Sequence, residues 1–199
     1  MRFLNAFAVV LSAASALATP LKRDAKSIKG KLALIEAQLN ALNASVTAYP
    51  DGPARPGLLL VPVVNTTLYS TKISVDEATS DTRAFNGKFS SDDGKAIVQS
   101  LERIEHNVTD ALKAIVEKKH VLYGVRDEQG KPDPSSEKAV KDILENLKKL
   151  GASFSTLADA NGDKVSSDFG NTVIKVKNAI AEAFKTTIAE LSSPPKDEE

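Results

Sequence analysis

Residues 90–122 read SSDDGKAIVQSLERIEHNVTDALKAIVEKKHVL. Within them Ile97, Leu101, Ile104, Val108, Ala111, Ile115 and Leu122 recur in steps of three, four or seven, which places all of them on one face of a helix. Ser90-Ser91-Asp92-Asp93 supplies an N-cap and first-turn acids, where free backbone N–H groups need acceptors. Lys118-Lys119-His120 suits the negative end of the helix dipole, and Gly124 ends it.

Working outward, the same periodicity returns. Ile28, Leu32, Ile35, Leu39, Leu42, Val46 and Tyr49 form one stripe, stopped by Tyr49-Pro50-Asp51-Gly52-Pro53. After a polar loop over 126–134, Ser135-Ser136-Glu137 opens a helix striped by Val140, Ile143, Leu147, Leu150, Phe154 and Leu157. A turn at Asn161-Gly162-Asp163 precedes the last helix, capped by Ser166-Ser167-Asp168 and striped by Phe169, Val173, Val176, Ile180, Phe184, Ile188 and Leu191. A fifth helix over 58–79 is fainter: Leu58, Val61, Val64 and Leu68 share a face, but Pro62 requires the helix to begin near Val61 or to kink there. Five amphipathic helices with short connections predict an all-α, five-helix, up-and-down-like bundle in a single domain over 24–191, with a disordered tail at 192–199.

The first residues carry Arg2, an apolar run at Phe7-Ala8-Val9-Val10-Leu11, and small residues ending in Ala16-Leu17-Ala18. The apolar part is too short and too interrupted for an anchor, so 1–18 reads as a signal peptide cut after Ala18. A short pro-segment, 19–23, ends in the dibasic pair Lys22-Arg23, and cleavage after Arg23 makes Asp24 the mature N-terminus. That cut removes three basic residues and no acid, leaving 23 against 26, a net charge of −3. Interspersed charge of this kind offers no footprint for nucleic acid. Cysteine is absent, so packing alone holds the fold, and thiol chemistry and thiolate metal sites are excluded. Asn43, Asn65 and Asn107 each head an Asn-x-Ser/Thr sequon, with Asn65 expected beside a loop and Asn107 hard against an apolar stripe.

No catalytic constellation emerges. His106 and His120 lie about 21 Å apart along one expected helix, too far to share a proton or a metal. Asp159-Ala160-Asn161-Gly162-Asp163 resembles the start of a calcium loop, but glycine at the sixth position and glutamate at the twelfth are replaced by Lys164 and Gly170. The chain reads as a non-enzyme, with no metal and no cofactor implied. The apolar stripes then carry two readings that residues alone leave open: ordinary core, or a loosely filled interior that accepts an acyl chain. On the second reading the contacts are Ile97, Leu101, Ile104, Val108, Ile115, Val140, Leu147, Phe154, Val173, Val176, Ile180 and Phe184.

The run from Phe89 through Ser90-Ser91-Asp92-Asp93 to Leu101, continuing in Leu112-Lys113-Ala114-Ile115-Val116-Glu117-Lys118-Lys119, resembles the central helix of the fungal hydrophobic surface-binding proteins, relatives of the cell-wall galactomannoproteins. Leu144–Phe154 and Ile180–Phe184 resemble that family's later helices, and helix order, the dibasic start and the missing cysteines agree. The resemblance implies a secreted or wall-associated, often glycosylated protein that binds fatty acids or hydrophobic surfaces, with cell-wall polysaccharide association and recruitment of a polymer-degrading hydrolase among the family's partnerships. Pro53, Pro56, Pro62 and the run Leu58-Leu59-Leu60-Val61 depart from the pattern. Two rivals remain, a structural wall mannoprotein or antigen without ligand and a secreted effector, which would need a broad exposed apolar patch.

Overall fold

The computed structural model describes residues 24–50, 57–124 and 134–193, with side chains from Leu60 in the second segment and from Ser136 in the third. The signal peptide, Ala18, Arg23, the turn at 51–56 and the end of the tail lie outside the described residues. Five long helices and one single-turn helix account for the fold: α1 Ala25–Thr47, α2 Gly57–Ala84, α3 Ser91–Glu117, α4 Lys119–Leu122, α5 Pro134–Gly162 and α6 Ser167–Leu191.

Caps set several of the boundaries. The Asp24 carboxylate accepts from the Ser27 N–H at 2.8 Å, and the Ser90 hydroxyl accepts from the Asp93 N–H at 3.2 Å while donating to the Asp93 carboxylate at 2.8 Å. Three expectations need correction. Of the two alternatives for the second helix, a start near Val61 is overturned: it starts at Gly57, holds Pro62 inside it, and runs on past Thr79 to Ala84. Pro62 is exposed in its second turn and forfeits one backbone bond there. The third helix breaks at Lys118 before a single turn, Lys119–Leu122, so His106 and His120 stand on separate helices. The Asn161-Gly162 pair closes α5 rather than forming a free loop.

Cross-helix contacts fix the arrangement. Ser27 and Lys31 reach Asp81 and Glu77, so α1 and α2 are antiparallel. Lys29 and Glu36 on the other flank of α1 pair with Asp93 and Arg103, so α1 and α3 run parallel. Asn65 meets Asn146 across α2 and α5, which are parallel, and Lys177 meets Asp159 across α5 and α6, which are antiparallel. Helix α3 closes against α6. Each long helix therefore packs mainly on two others, in the order α1-α2-α5-α6-α3 and back to α1. The directions alternate along the chain, as an up-and-down bundle requires.

With helix axes 8–10 Å apart, a five-membered ring puts each axis about 7–8.5 Å from its centre, further than in a four-helix square. That column is filled by large side chains, with Phe154, Ile28, Leu32, Ile35, Ile97, Ile104 and Ile143 fully buried. At one end, the α2–α3 turn is clasped to the α5–α6 turn. Phe89 N–H donates to the Lys164 carbonyl at 2.8 Å, and the Lys164 ammonium donates to the Phe85 carbonyl at 2.7 Å. Gly87, at φ 82°, supplies the left-handed residue of that turn. At the other end the buried Tyr123 hydroxyl donates to the Leu191 carbonyl at 2.6 Å.

The Lys29 ammonium, with help from the Ser90 hydroxyl, holds the Asp93 carboxyl below its ordinary value. A lowered value means that folding favours the ionised form, so this contribution is present at neutral pH and lost as pH falls through the carboxylate range. Ser90→Ala should therefore cost about 1 kcal/mol in urea unfolding. Asp93→Asn should destabilise at pH 7 and converge on the native chain at acid pH. An Asp93→Asn deficit that persists unchanged in acid would refute this assignment.

Candidate functional site

All twelve stripe residues proposed as ligand contacts come together, and all are closed off from solvent in this conformation. None is more than 6 % exposed. Ile97, Leu101, Ile104, Val108 and Ile115 come from α3, Val140, Leu147 and Phe154 from α5, and Val173, Val176, Ile180 and Phe184 from α6. They line one side of the central column, where the Phe154 and Phe184 rings lie 6.0 Å apart. Close approach of α5 and α6 depends on Gly151, since a methyl group there would come within 3.1 Å of the Phe184 ring.

The open feature lies elsewhere. A groove of about 780 Å³ runs between α2 and α5, lined by Thr79, Ser80 and Ala84 from one helix and Ala152, Ser153 and Thr156 from the other. These side chains are short, so two parallel helices leave space where longer ones would interdigitate. Lys72, Asp76, Arg83 and Lys149 form its charged rim. Lys72 is paired with Asp76 one turn on, and Lys149 with Glu145 one turn back. Among the described residues Arg83 has no such partner. The groove is bounded by the Asn146–Asn65 hydrogen bond, 2.8 Å, toward one end of the bundle and by the Lys164–Phe85 clasp at the other.

Helix α2 is also rich in buried hydroxyls, of which Thr79 lies on the groove. Thr67, Ser74, Thr79 and Thr82 are buried, and each donates to the carbonyl four residues earlier, at 2.8–3.3 Å. A hydroxyl satisfied by its own helix can be buried without a cross-helix partner. The sequons fall on helices: Asn43 in α1 accepts from Thr47, Asn107 in α3 is half-buried, and Asn65 lies within α2, where a loop edge had been expected. Asp159, at the head of the calcium-like segment, is committed to Lys177 at 2.7 and 2.8 Å. Among the described residues no helix is long and apolar enough to cross a membrane.

A closed ring of amphipathic helices around an apolar column, grooved along one seam, defines a class: small all-α domains with a polar exterior and a large apolar interior. The chain belongs to the hydrophobic surface binding protein A family, whose model matches residues 25–160, that is α1 through α5. No curated protein sequence matches it. Solved structures share the fold through α6. A structure of AFMP4P in complex with palmitic acid superposes with a TM-score of 0.71 at 21 % identity, covering 84 % of this chain and 99 % of that one. Ligand binding domain 1 of the Penicillium marneffei MP1 protein, complexed with arachidonic acids, gives 0.64 at 17 % identity, covering 83 % and 96 %. Domain 2 of the same protein, complexed with multiple arachidonic acids, gives 0.65 at 16 % identity, covering 86 % and 98 %.

Column and groove differ in what a truncation removes. Phe154→Ala, in the column, should cost about 3–5 kcal/mol, whereas Thr156→Ala, on the groove wall, should stay within about 0.5 kcal/mol. Urea denaturation of the two variants tests this, and equal costs would mean that the groove wall is part of the core.

Proposed function

We propose that this chain is a secreted, non-enzymatic binder of fatty acid-like ligands and hydrophobic surfaces, acting outside the fungal cell or at its wall. The observation that carries the reading is the architecture: a five-membered helical ring around a large apolar column, with a groove of short side chains on its outside between α2 and α5. Membership of the hydrophobic surface binding family supports it, as do the lipids bound by the structural neighbours.

On this reading the acyl chain enters between α2 and α5 and displaces packing within the column, so that Phe154, Phe184, Ile104, Leu147, Val176 and Ile180 become its walls. Burying an acyl chain yields about 0.8 kcal/mol per methylene, so some ten methylenes offer on the order of 8 kcal/mol against the cost of parting the helices. The cationic rim favours approach of an anionic head group. Nothing in this chemistry needs a nucleophile, an acid–base pair, a metal or a cofactor. Export by a signal peptide at 1–18, trimming after Arg23, glycans at Asn43, Asn65 or Asn107, wall polysaccharide association and partnership with a secreted hydrolase belong to the same proposal. The close packing of the column is what a purely structural wall protein would also show. The exposed large apolar side chains, Tyr69, Ile73 and Ile174, fall on α2 and α6, which are not neighbours in the ring, and so give an effector reading little support.

Native mass spectrometry of the secreted chain, delipidated and then supplied with palmitic or arachidonic acid, should show one or more fatty acid adducts. Filling the seam with Ser80→Phe and Ala152→Phe should slow uptake at least severalfold. A chain that takes no adduct and fails to adsorb to a hydrophobic polymer is a structural protein, and the proposal is wrong.

A further inference from the structure

Among the described residues three buried side-chain polar atoms have no hydrogen-bond partner: Asn161 Oδ1 at the end of α5, and, within the bundle, Gln38 Oε1 and Thr71 Oγ1. Gln38 is 3 % exposed and Thr71 fully buried. An orphaned polar atom in such a place costs about 1–3 kcal/mol, so two at one level of the bundle are worth explaining.

Register puts them at one level of the antiparallel α1–α2 pair. Lys31 spans Glu77 and Asp81 across the antiparallel α1–α2 seam, so Gln38, seven residues on, lies opposite residues 70–74. Helical residues advance about 100° per position, which places Gln38 within about 40° of Ser27 and Lys31 on the flank of α1 that faces α2. Thr71 belongs to the inward stripe of α2, in line with Leu68, Val75 and Ala78.

Neither can be satisfied locally. The other buried hydroxyls of α2 donate four residues back along the helix, but the carbonyl that Thr71 would use, that of Thr67, already accepts from Ser70 at 3.0 Å. The Ser74 hydroxyl, on the flank nearest Gln38, is directed at the Ser70 carbonyl at 3.3 Å. An acceptor on the α1–α2 flank and a hydroxyl on the inward stripe of α2 are thus left without a partner at one level of the bundle.

We propose that Gln38 and Thr71 form the head-group site for a fatty acid held in the column, receiving its carboxyl group in the uncharged form. The acid O–H donates to Gln38 Oε1, and the Thr71 hydroxyl donates to the acid carbonyl. A neutral carboxyl is the form that burial without a cation selects. The tail then follows the column alongside the α2–α5 groove. This assignment rests on the proposed lipid binding and adds to it the residues that choose the ligand's head.

Equilibrium partitioning of labelled palmitic acid and methyl palmitate between cyclodextrin and the mature chain tests it. The ester keeps the carbonyl and lacks the O–H. At a pH below the ordinary carboxyl range, where the free acid is itself uncharged, the native chain should therefore prefer the acid by about tenfold. The preference should fall by about tenfold per pH unit once the free acid ionises. The double variant Gln38→Met, Thr71→Val should bind both ligands within about twofold of each other, retain its affinity for the ester, and resist urea at least as well as the native chain, because both orphaned atoms are gone. An unchanged acid preference in the double variant overturns the assignment while leaving lipid binding intact. So does loss of the preference in Arg83→Ala, which would put the head at the groove rim. If the native chain takes up neither ligand, the binding proposal itself fails, and this one with it.

Discussion

Closure of five helices into a ring is the constraint on which the rest of the molecule depends. A ring of five has a wider middle than a square of four, and a wide middle must be filled by side chains or by something else. Each helix therefore turns a broad apolar stripe inward, and the largest residues, Phe154 and the isoleucines and leucines of α1 and α3, meet at the centre. With no disulfides, packing of this column carries the stability. The largely covered pair Lys31–Asp81 and the more exposed pair Arg103–Glu36 fix which flank of α1 meets which neighbour.

The ring is not equally strong around its circumference. Along α5–α6, Gly151 lets two helices close until Phe184 fills the contact, and the Lys177–Asp159 pair stands outside it. Along the outside of α2–α5, between residues 76–84 and 149–156, the facing residues include serine, threonine and alanine, and a groove remains. The hydroxyls of α2 bond back to their own helix, so they hold no neighbour in place. The groove on that seam is thus a property of which short side chains face outward along it.

Much of this was legible in the sequence, and the illegible parts have physical causes. The stripes of α1, α3, α5 and α6 gave both the helices and the core, because a 3.6-residue period in leucine, isoleucine and phenylalanine has no competing reading. Helix α2 was faint because its inward positions, such as Thr67, Thr71 and Thr82, count as polar in any pattern and are buried only because their own backbone can serve them. Pro62 misplaced its start, since a proline in the second turn costs one hydrogen bond and the helix tolerates that where the proline is exposed. The groove was out of reach for another reason. It lies between helices not consecutive in the chain, and no periodicity states that α2 will lie parallel to α5.

The central column and the weak seam explain each other once a ligand is considered. A column filled only by protein should select for even packing around the ring, and a seam of small side chains would be a flaw that a few leucines could repair. A column that must exchange its contents needs one wall that parts more readily than the others, and needs that wall to survive parting. Hydroxyls bonded to their own helix suit this, because separating α2 from α5 would leave those bonds intact. The same logic accounts for a polar spot that packing alone would have removed. Gln38 and Thr71 weaken the empty bundle and stabilise a filled one, so their cost in the empty state works as a bias toward occupancy.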